Sequence, residues 1–215
     1  MQQVDLLKKS EAIFSIFYHD NPSPFTELEY STLFELLVAV SLSAQTTDKS
    51  VNIATKKLFK VANTPEAIFL LGEDAVRTLI KNVGLYNVKS KNLIKLSHIL
   101  VDQYNSSVPL RIDELVKLPG VGRKTANVVI NCWTNNPTMP VDTHVFRVTR
   151  RLGLAYSMNP VSVEKELLKN IPEKWLSKAH HWLVLHGRYI CKARRPDCQK
   201  CFLKDHCDFF ASLQA

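Results

Sequence analysis

Leu118-Pro119-Gly120-Val121-Gly122-Arg123-Lys124-Thr125-Ala126, running into the apolar segment Asn127–Trp133, is the stretch whose reading decides the fold. Two glycines two apart, behind a proline, let the backbone turn tightly and approach a partner closely, because neither carries a Cβ. Ala126, Val129, Ile130 and Trp133 then stand at i, i+3, i+4 and i+7, which predicts a helix with one apolar stripe. A glycine hairpin opening into a helix aims several backbone N–H groups, and the positive end of the dipole, at one point. A backbone phosphate fits such a point. Gly120, Val121, Gly122 and Arg123 are therefore expected to meet nucleic acid through the hairpin. Lys124 falls opposite the apolar stripe in the first helical turn and faces outward beside that anion site. An ordinary turn between helices would show the same local pattern, so the rest of the chain has to weigh the two.

The chain has 215 residues, enough for one large or two small domains with a real core. Hydrophobic residues make up 46%, which marks a globular chain rather than a disordered one. Lys and Arg number 28 against 20 acidic residues, a net charge of +8 that favours a polyanionic partner. Nucleic acid is favoured over a membrane, since no basic amphipathic helix stands out and the apolar run Phe34–Ala44 is too short to span a bilayer. The N-terminus, Met1-Gln2-Gln3-Val4-Asp5, lacks the layout of a signal peptide, so the expected location is the cytoplasm, associated with the nucleoid. Thiols stay reduced there and a disulfide framework is not expected.

Helical spacing begins at residues 4–19, with Leu6, Leu7, Ile13, Phe14 and Phe17. Asn21-Pro22-Ser23-Pro24 then breaks the chain and reads as a domain crossing. A second helix from Ser31 carries Leu33, Leu36, Leu37 and Val40, and leads into Leu42-Ser43-Ala44-Gln45-Thr46-Thr47-Asp48. Further helices are predicted over 48–61, 65–71, 73–81, 87–104 and 111–117. Pro65 is expected at a first helical position and Gly84 as a C-cap. Asn135-Asn136-Pro137 ends the segment after the hairpin, and Pro140-Val141-Asp142-Thr143-His144 starts another helix, with Val145, Val148 and Leu152 on one face and Arg147, Arg150 and Arg151 elsewhere. Val128-Val129-Ile130 is locally ambiguous, but no alternating strand appears, so the fold class is all-α.

Four of five cysteines close the chain as Cys191-x6-Cys198-x2-Cys201-x5-Cys207. In a reducing compartment such thiols hold a metal or an iron–sulfur cluster, because thiolates are soft ligands. Zinc sites usually show two close pairs and only Cys198 and Cys201 form one, which tilts the balance toward a cluster without settling it. Arg188, Lys192, Arg194, Arg195, Lys200 and Lys204 surround them, positioned to offset thiolate charge or to meet phosphate. Cys132 stands apart and reads as a small core residue.

These motifs, with Val141-Asp142-Thr143-His144 and His181-Trp182-Leu183-Val184-Leu185-His186-Gly187-Arg188, resemble the endonuclease III family of DNA glycosylases. The resemblance runs from Leu42-Ser43-Ala44-Gln45 to Cys207. It implies a helix-hairpin-helix fold with a six-helix barrel domain over 24–136. It also implies an iron–sulfur domain built from 1–23 and 137–215, with a [4Fe–4S] cluster on Cys191, Cys198, Cys201 and Cys207. The implied partner is duplex DNA carrying damaged pyrimidines or abasic sites, bound by a monomer without a membrane.

The family's catalytic positions match Lys124, the amine that attacks C1′ of the damaged nucleoside, and Asp142, the assisting carboxylate. An unperturbed lysine has a pKa of about 10.4, so its site is expected to favour the neutral amine through partial burial and the helix N-terminus. Asp142 also suits a helix N-cap, a role compatible with catalysis. The resemblance further implies that Gln45 fills the gap left by the flipped nucleotide and that Leu85 wedges between bases beside it. His144 is expected at a phosphate or beside Asp142, and His180, His181 and His186 as structural. Lys192, Arg194 and Arg195 form a basic loop expected on DNA. A sister enzyme that removes adenine from mismatches shares the cluster but lacks the hairpin lysine and carries a further C-terminal domain. Lys124 and the end at Ala215 argue against it. A non-catalytic DNA-binding module is disfavoured because both Lys124 and Asp142 are present.

Overall fold

A computed structural model describes residues 3–134 and 136–214, with the side chain of residue 3 left out; Asn135, expected to help end the post-hairpin segment, lies outside the described residues, as do Met1, Gln2 and Ala215. Among the described residues there is no strand. The helices are α1 (Gln3–Asp20), α2 (Leu33–Leu42), α3 (Asp48–Val61), α4 (Pro65–Leu71), α5 (Glu73–Leu79), α6 (Tyr86–Tyr104), α7 (Ile112–Leu115), α8 (Arg123–Thr134), α9 (Thr143–Leu152), α10 (Pro160–Asn170), α11 (Glu173–Tyr189) and α12 (Asp208–Ser212). The chain divides into two compact units, Glu27–Trp133 and a discontinuous one of Met1–Thr26 with Thr134–Ala215.

The continuous unit holds α2 to α8. Its core is aliphatic, with Leu36, Leu37, Leu42, Val51, Leu58, Ile68, Leu93, Leu96, Leu100 and Val129 among the buried residues. Local chemistry sets the helix starts. Thr32 Oγ1 accepts from Glu35 N at 3.1 Å while Glu35 Oε2 accepts from Ser31 N at 2.7 Å, a reciprocal arrangement close to a capping box. Thr64 caps α4 through Ala67 N at 3.2 Å, with Pro65 at the first helical position as expected. Gly84 is not the C-cap that the sequence suggested. α5 ends at Leu79 with Ile80 as its cap, and Gly84 instead stands where a Cβ would come within 3.0 Å of Gln45 O. Its requirement is close backbone approach rather than a left-handed turn.

The discontinuous unit packs α1 against α10 and α11, and α9 against α11 and α12. Its core is richer in aromatic rings. Phe14 and Phe17 of α1 lie 6.1 and 6.0 Å, centroid to centroid, from Trp182 of α11. Trp182 Nε1 donates to Asn21 O at 2.8 Å, and Trp175 Nε1 to Glu11 Oε2 at 3.0 Å. These satisfy indole donors that burial would otherwise strand. His180, His181 and His186 are buried here, His180 with Nδ1 2.9 Å from Pro140 O.

Candidate active site and nucleic-acid interface

The hairpin lies between α7 and α8. Gly120 has φ +81°, a left-handed conformation suited to glycine, and a Cβ there would press on the Asn92 side chain at 3.1 Å. Val121 N donates to Leu118 O at 3.1 Å, closing the turn, and Ala126 N to Gly122 O at 2.9 Å opens the helix. The amides of Lys124 and Thr125 precede that first helical bond and point out of the N-terminus. Gly120, Gly122, Arg123 and Lys124 are exposed or half-buried at this lip. Val121 is 5% exposed, its side chain held in the core, so only its backbone can meet a ligand.

α8 buries Ala126, Val129 and Ile130 as its spacing requires, together with Asn127, Val128, Asn131 and Cys132. Trp133 departs from the expected stripe, being 42% exposed although Asn131 and Cys132 in the same turn are buried. Burial pushes the Cys132 thiol up to about 12, which suits an inert core residue. The partial burial expected of Lys124 is also not found. The residue is exposed in the first turn of α8.

Asp142 is the N-cap of α9. Its Oδ1 accepts from His144 N and Val145 N, both at 2.8 Å, with the residue half-buried and its backbone extended at φ −102°. Both cap bonds fall on one oxygen. Arg147, one turn further on, donates from Nη2 to Gly187 O at 2.8 Å and from Nε to Cys191 O at 3.0 Å. The same Nη2 lies 3.3 Å from His144 Nδ1. A guanidinium only donates, so this contact makes Nδ1 the acceptor and puts the ring proton on Nε2, directed away from Arg147. Gly187 lets this happen, since a Cβ there would sit 2.8 Å from His144 Cβ.

Arg151, another turn along α9, holds the basic loop by its backbone. It donates to Lys192 O at 2.8 Å and to Ala193 O at 3.2 Å, approaches Cys191 Sγ at 3.3 Å, and lies 4.7 Å over the Phe209 ring. Lys192, Arg194 and Arg195 remain exposed on that loop, Arg195 with φ +53°. Arg147 and Arg151 were given no part in the site by sequence, although their spacing along α9 puts both on one face.

Cys191, Cys198, Cys201 and Cys207 line one recess, with about 350 Å³ of atom-free space including its mouth, together with Leu152, Ile190, Pro196, Phe209 and Phe210. Among the described residues no three or more His, Cys, Asp or Glu could hold a metal ion. The four thiols share one recess. They suit a polynuclear cluster in which each thiolate takes its own iron. Burial pushes the Cys201 thiol up to about 11 and Cys207 in the same direction. Bare, these two thiols would stay protonated at neutral pH, and iron would displace their protons on binding.

An all-helical chain that pairs a glycine hairpin, a lysine at its lip and a four-thiol recess is a helix-hairpin-helix iron–sulfur protein. Residues 38–173 match the model of the HhH-GPD superfamily base excision DNA repair protein, and residues 191–207 the iron–sulfur binding domain of endonuclease III. The chain belongs to the HhH-GPD superfamily of base excision DNA repair proteins, in its endonuclease III family. It is 61% identical over 200 residues to the endonuclease III of Rickettsia felis, covering 93% of this chain and 94% of that one. Its identity to the endonuclease III of Escherichia coli K12 is 53% over 190 residues, 88% and 90% of the two chains. A solved structure of a trapped endonuclease III–DNA covalent intermediate superimposes with a TM-score of 0.91 at 39% identity, over the whole of both chains.

Proposed function

We propose that this chain excises oxidised pyrimidines from duplex DNA through a Schiff base on Lys124, and then cleaves the strand 3′ to the abasic site. Its class, a DNA glycosylase that is also an abasic-site lyase with an iron–sulfur cluster, goes with its family. The observation that carries the residue assignment is the exposed Lys124 in the first turn of α8, directly behind the glycine hairpin. A phosphate seated on the hairpin amides would bring a nucleotide's sugar within reach of that amine.

In this scheme the neutral Nζ attacks C1′, the glycosidic bond breaks, and the base leaves carrying a proton. Loss of the amine proton and opening of the sugar ring leave an imine between Nζ and C1′. The imine acidifies the C2′ proton; its removal expels the 3′ phosphate by β-elimination, and water then frees Lys124. Asp142 is assigned to take the amine's proton or to stabilise positive charge on the sugar. Gln45 and Leu85 are assigned to the gap left by the extruded nucleotide, and His144 through Nε2–H to a phosphate. Lys192, Arg194 and Arg195 are assigned to the DNA backbone. Cys191, Cys198, Cys201 and Cys207 would hold the [4Fe–4S] cluster, which supplies a rigid frame for that loop and takes no part in bond breaking. The proposed setting is a monomer on chromosomal DNA in the cytoplasm; no helix among the described residues is long and apolar enough to cross a membrane.

Borohydride trapping on abasic-site DNA tests the scheme. The wild-type chain should give a covalent adduct and Lys124→Gln none, while duplex binding survives in the variant. An adduct of undiminished yield from Lys124→Gln would place the nucleophile elsewhere.

A further inference from the structure

Lys89 is a buried lysine, 8% exposed, that the scheme above does not use. Buried ammonium groups are costly unless fully bonded, and this one is. Its Nζ donates to Ala44 O at 2.6 Å, to Leu42 O at 2.9 Å and to Thr46 Oγ1 at 3.2 Å, which accounts for all three of its protons. Leu42 and Ala44 are at the C-terminal end of α2, where carbonyls lack helical partners and the dipole is negative. Burial pulls the Lys89 ammonium down from the ordinary lysine value.

Those acceptors belong to the loop that carries Gln45. Gln45 is exposed with φ +54°, a left-handed conformation that a non-glycine residue adopts only when its surroundings hold it. Leu85 heads α6 one turn before Lys89, and it too is left-handed, at φ +57°, with 59% of its surface exposed. Lys89 N donates to Leu85 O at 3.0 Å, so the same residue closes the first turn on which Leu85 sits. A second bond joins the two loops directly, Gly84 N to Thr46 Oγ1 at 3.2 Å, and the missing Cβ of Gly84 gives Gln45 O its room. Two exposed side chains, each on a strained backbone, are thereby fastened to each other through Lys89 and Thr46.

We propose that Lys89 is a positioning residue that locks the Gln45 loop to the head of α6, so that Gln45 and Leu85 enter the duplex as one preformed unit. The proposal rests on the gap-filling assignment of Gln45 and Leu85. Preorganisation is its physical content. A loop fixed before binding loses little conformational entropy when it fills the gap, whereas a free one must be ordered in competition with base stacking.

Lys89→Met keeps the length of the side chain and removes the ammonium. Single-turnover base excision, with 2-aminopurine beside the lesion reporting unstacking, would be measured for it, for Gln45→Ala, for Leu85→Ala and for the combinations. Lys89→Met should slow both excision and the fluorescence rise by on the order of 10- to 100-fold, the scale of a small misplacement of a positioned group. Binding to undamaged duplex should stay within about twofold. In the Gln45→Ala/Leu85→Ala background, adding Lys89→Met should slow excision no further, because a positioning residue has nothing left to position. A full multiplicative loss in that background would overturn the proposal while leaving the gap-filling assignment intact. Unchanged excision and fluorescence in Gln45→Ala and Leu85→Ala would instead remove the assignment, and the proposal with it. Should Lys89→Met fail to fold, Thr46→Val breaks the same bridge while leaving the ammonium its two carbonyl acceptors, and is subject to the same outcomes.

Discussion

Replacing Asp142 separates its structural from its chemical work. As N-cap of α9 it accepts two amide protons, both on Oδ1 at 2.8 Å. An asparagine has a carbonyl oxygen in the same place and caps about as well as aspartate. Asp142→Asn should therefore lose only the charge–dipole part, about 0.3–1 kcal/mol. At about 2–4 °C per kcal/mol for a chain of this size, Tm should fall by no more than about 4 °C. Asp142→Ala removes both bonds and should cost about 1–2 kcal/mol, a fall of roughly 2–8 °C. Excision should not follow that order. If the carboxylate moves a proton or steadies charge on the sugar, both variants should lose about 10²–10⁴-fold in single-turnover rate. Calorimetry on cluster-replete protein, beside single-turnover kinetics, reads the two quantities separately. Excision by Asp142→Asn within a few-fold of wild type would reduce Asp142 to a cap. Equal losses of Tm in the two variants would refute the capping argument.

The paired substitution Arg194→Ala/Arg195→Ala should weaken binding to damaged and undamaged duplex alike, and flatten log K against log salt by roughly 0.9 for each phosphate the loop no longer neutralises; an unchanged slope takes the loop off the DNA. His181 is held near 4 by burial, below its ordinary 6.5. Its neutral form is the folded one, so its contribution is present above pH 6.5 and lost as pH falls toward 4, up to about 3 kcal/mol in all. His181→Phe should thus show a flatter decline of stability across that window, and a decline as steep as wild type would assign the acid sensitivity to other groups. Cys201→Ser should lower the yellow-brown absorbance of the protein purified without air, whereas a colourless, zinc-bearing wild-type chain would sink the cluster.

How far the sequence could be read depended on whether a residue's role was local. Helix starts at Thr64-Pro65 and Asp142 are written in adjacent residues, and the positions of α3, α4 and α6 followed from their spacing to within a residue. α10 and α11 drew no prediction. α11 buries His180, His181 and His186 among its apolar residues, so the residue types on its buried face do not mark it as a core helix. Gly84 illustrates the opposite limit. A glycine after a helix reads as a cap, and only the approach of Gln45 O, 39 residues earlier in the chain, shows its real constraint. What Lys89, Arg147 and Arg151 do was invisible for the same reason. Each bonds to backbone carbonyls more than 35 residues away, and carbonyls carry no sequence signature. Lys124 could be placed at the lip of its hairpin, but its solvation could not be read from spacing alone.

The discontinuity of the unit that contains α1 bears on how the chain is made. α1 is synthesised ahead of the other helices, with Ile13, Phe14 and Phe17 on one face, yet its partner Trp182 comes 165 or more residues later in the chain. At about 5–20 residues per second, the interval between the two is of the order of 10–30 s. Glu27–Trp133 has all of its own core in hand by then and can close while α1 waits. An aromatic helix that must wait is the segment a chaperone would meet, and the one whose slow capture would limit the yield of finished protein.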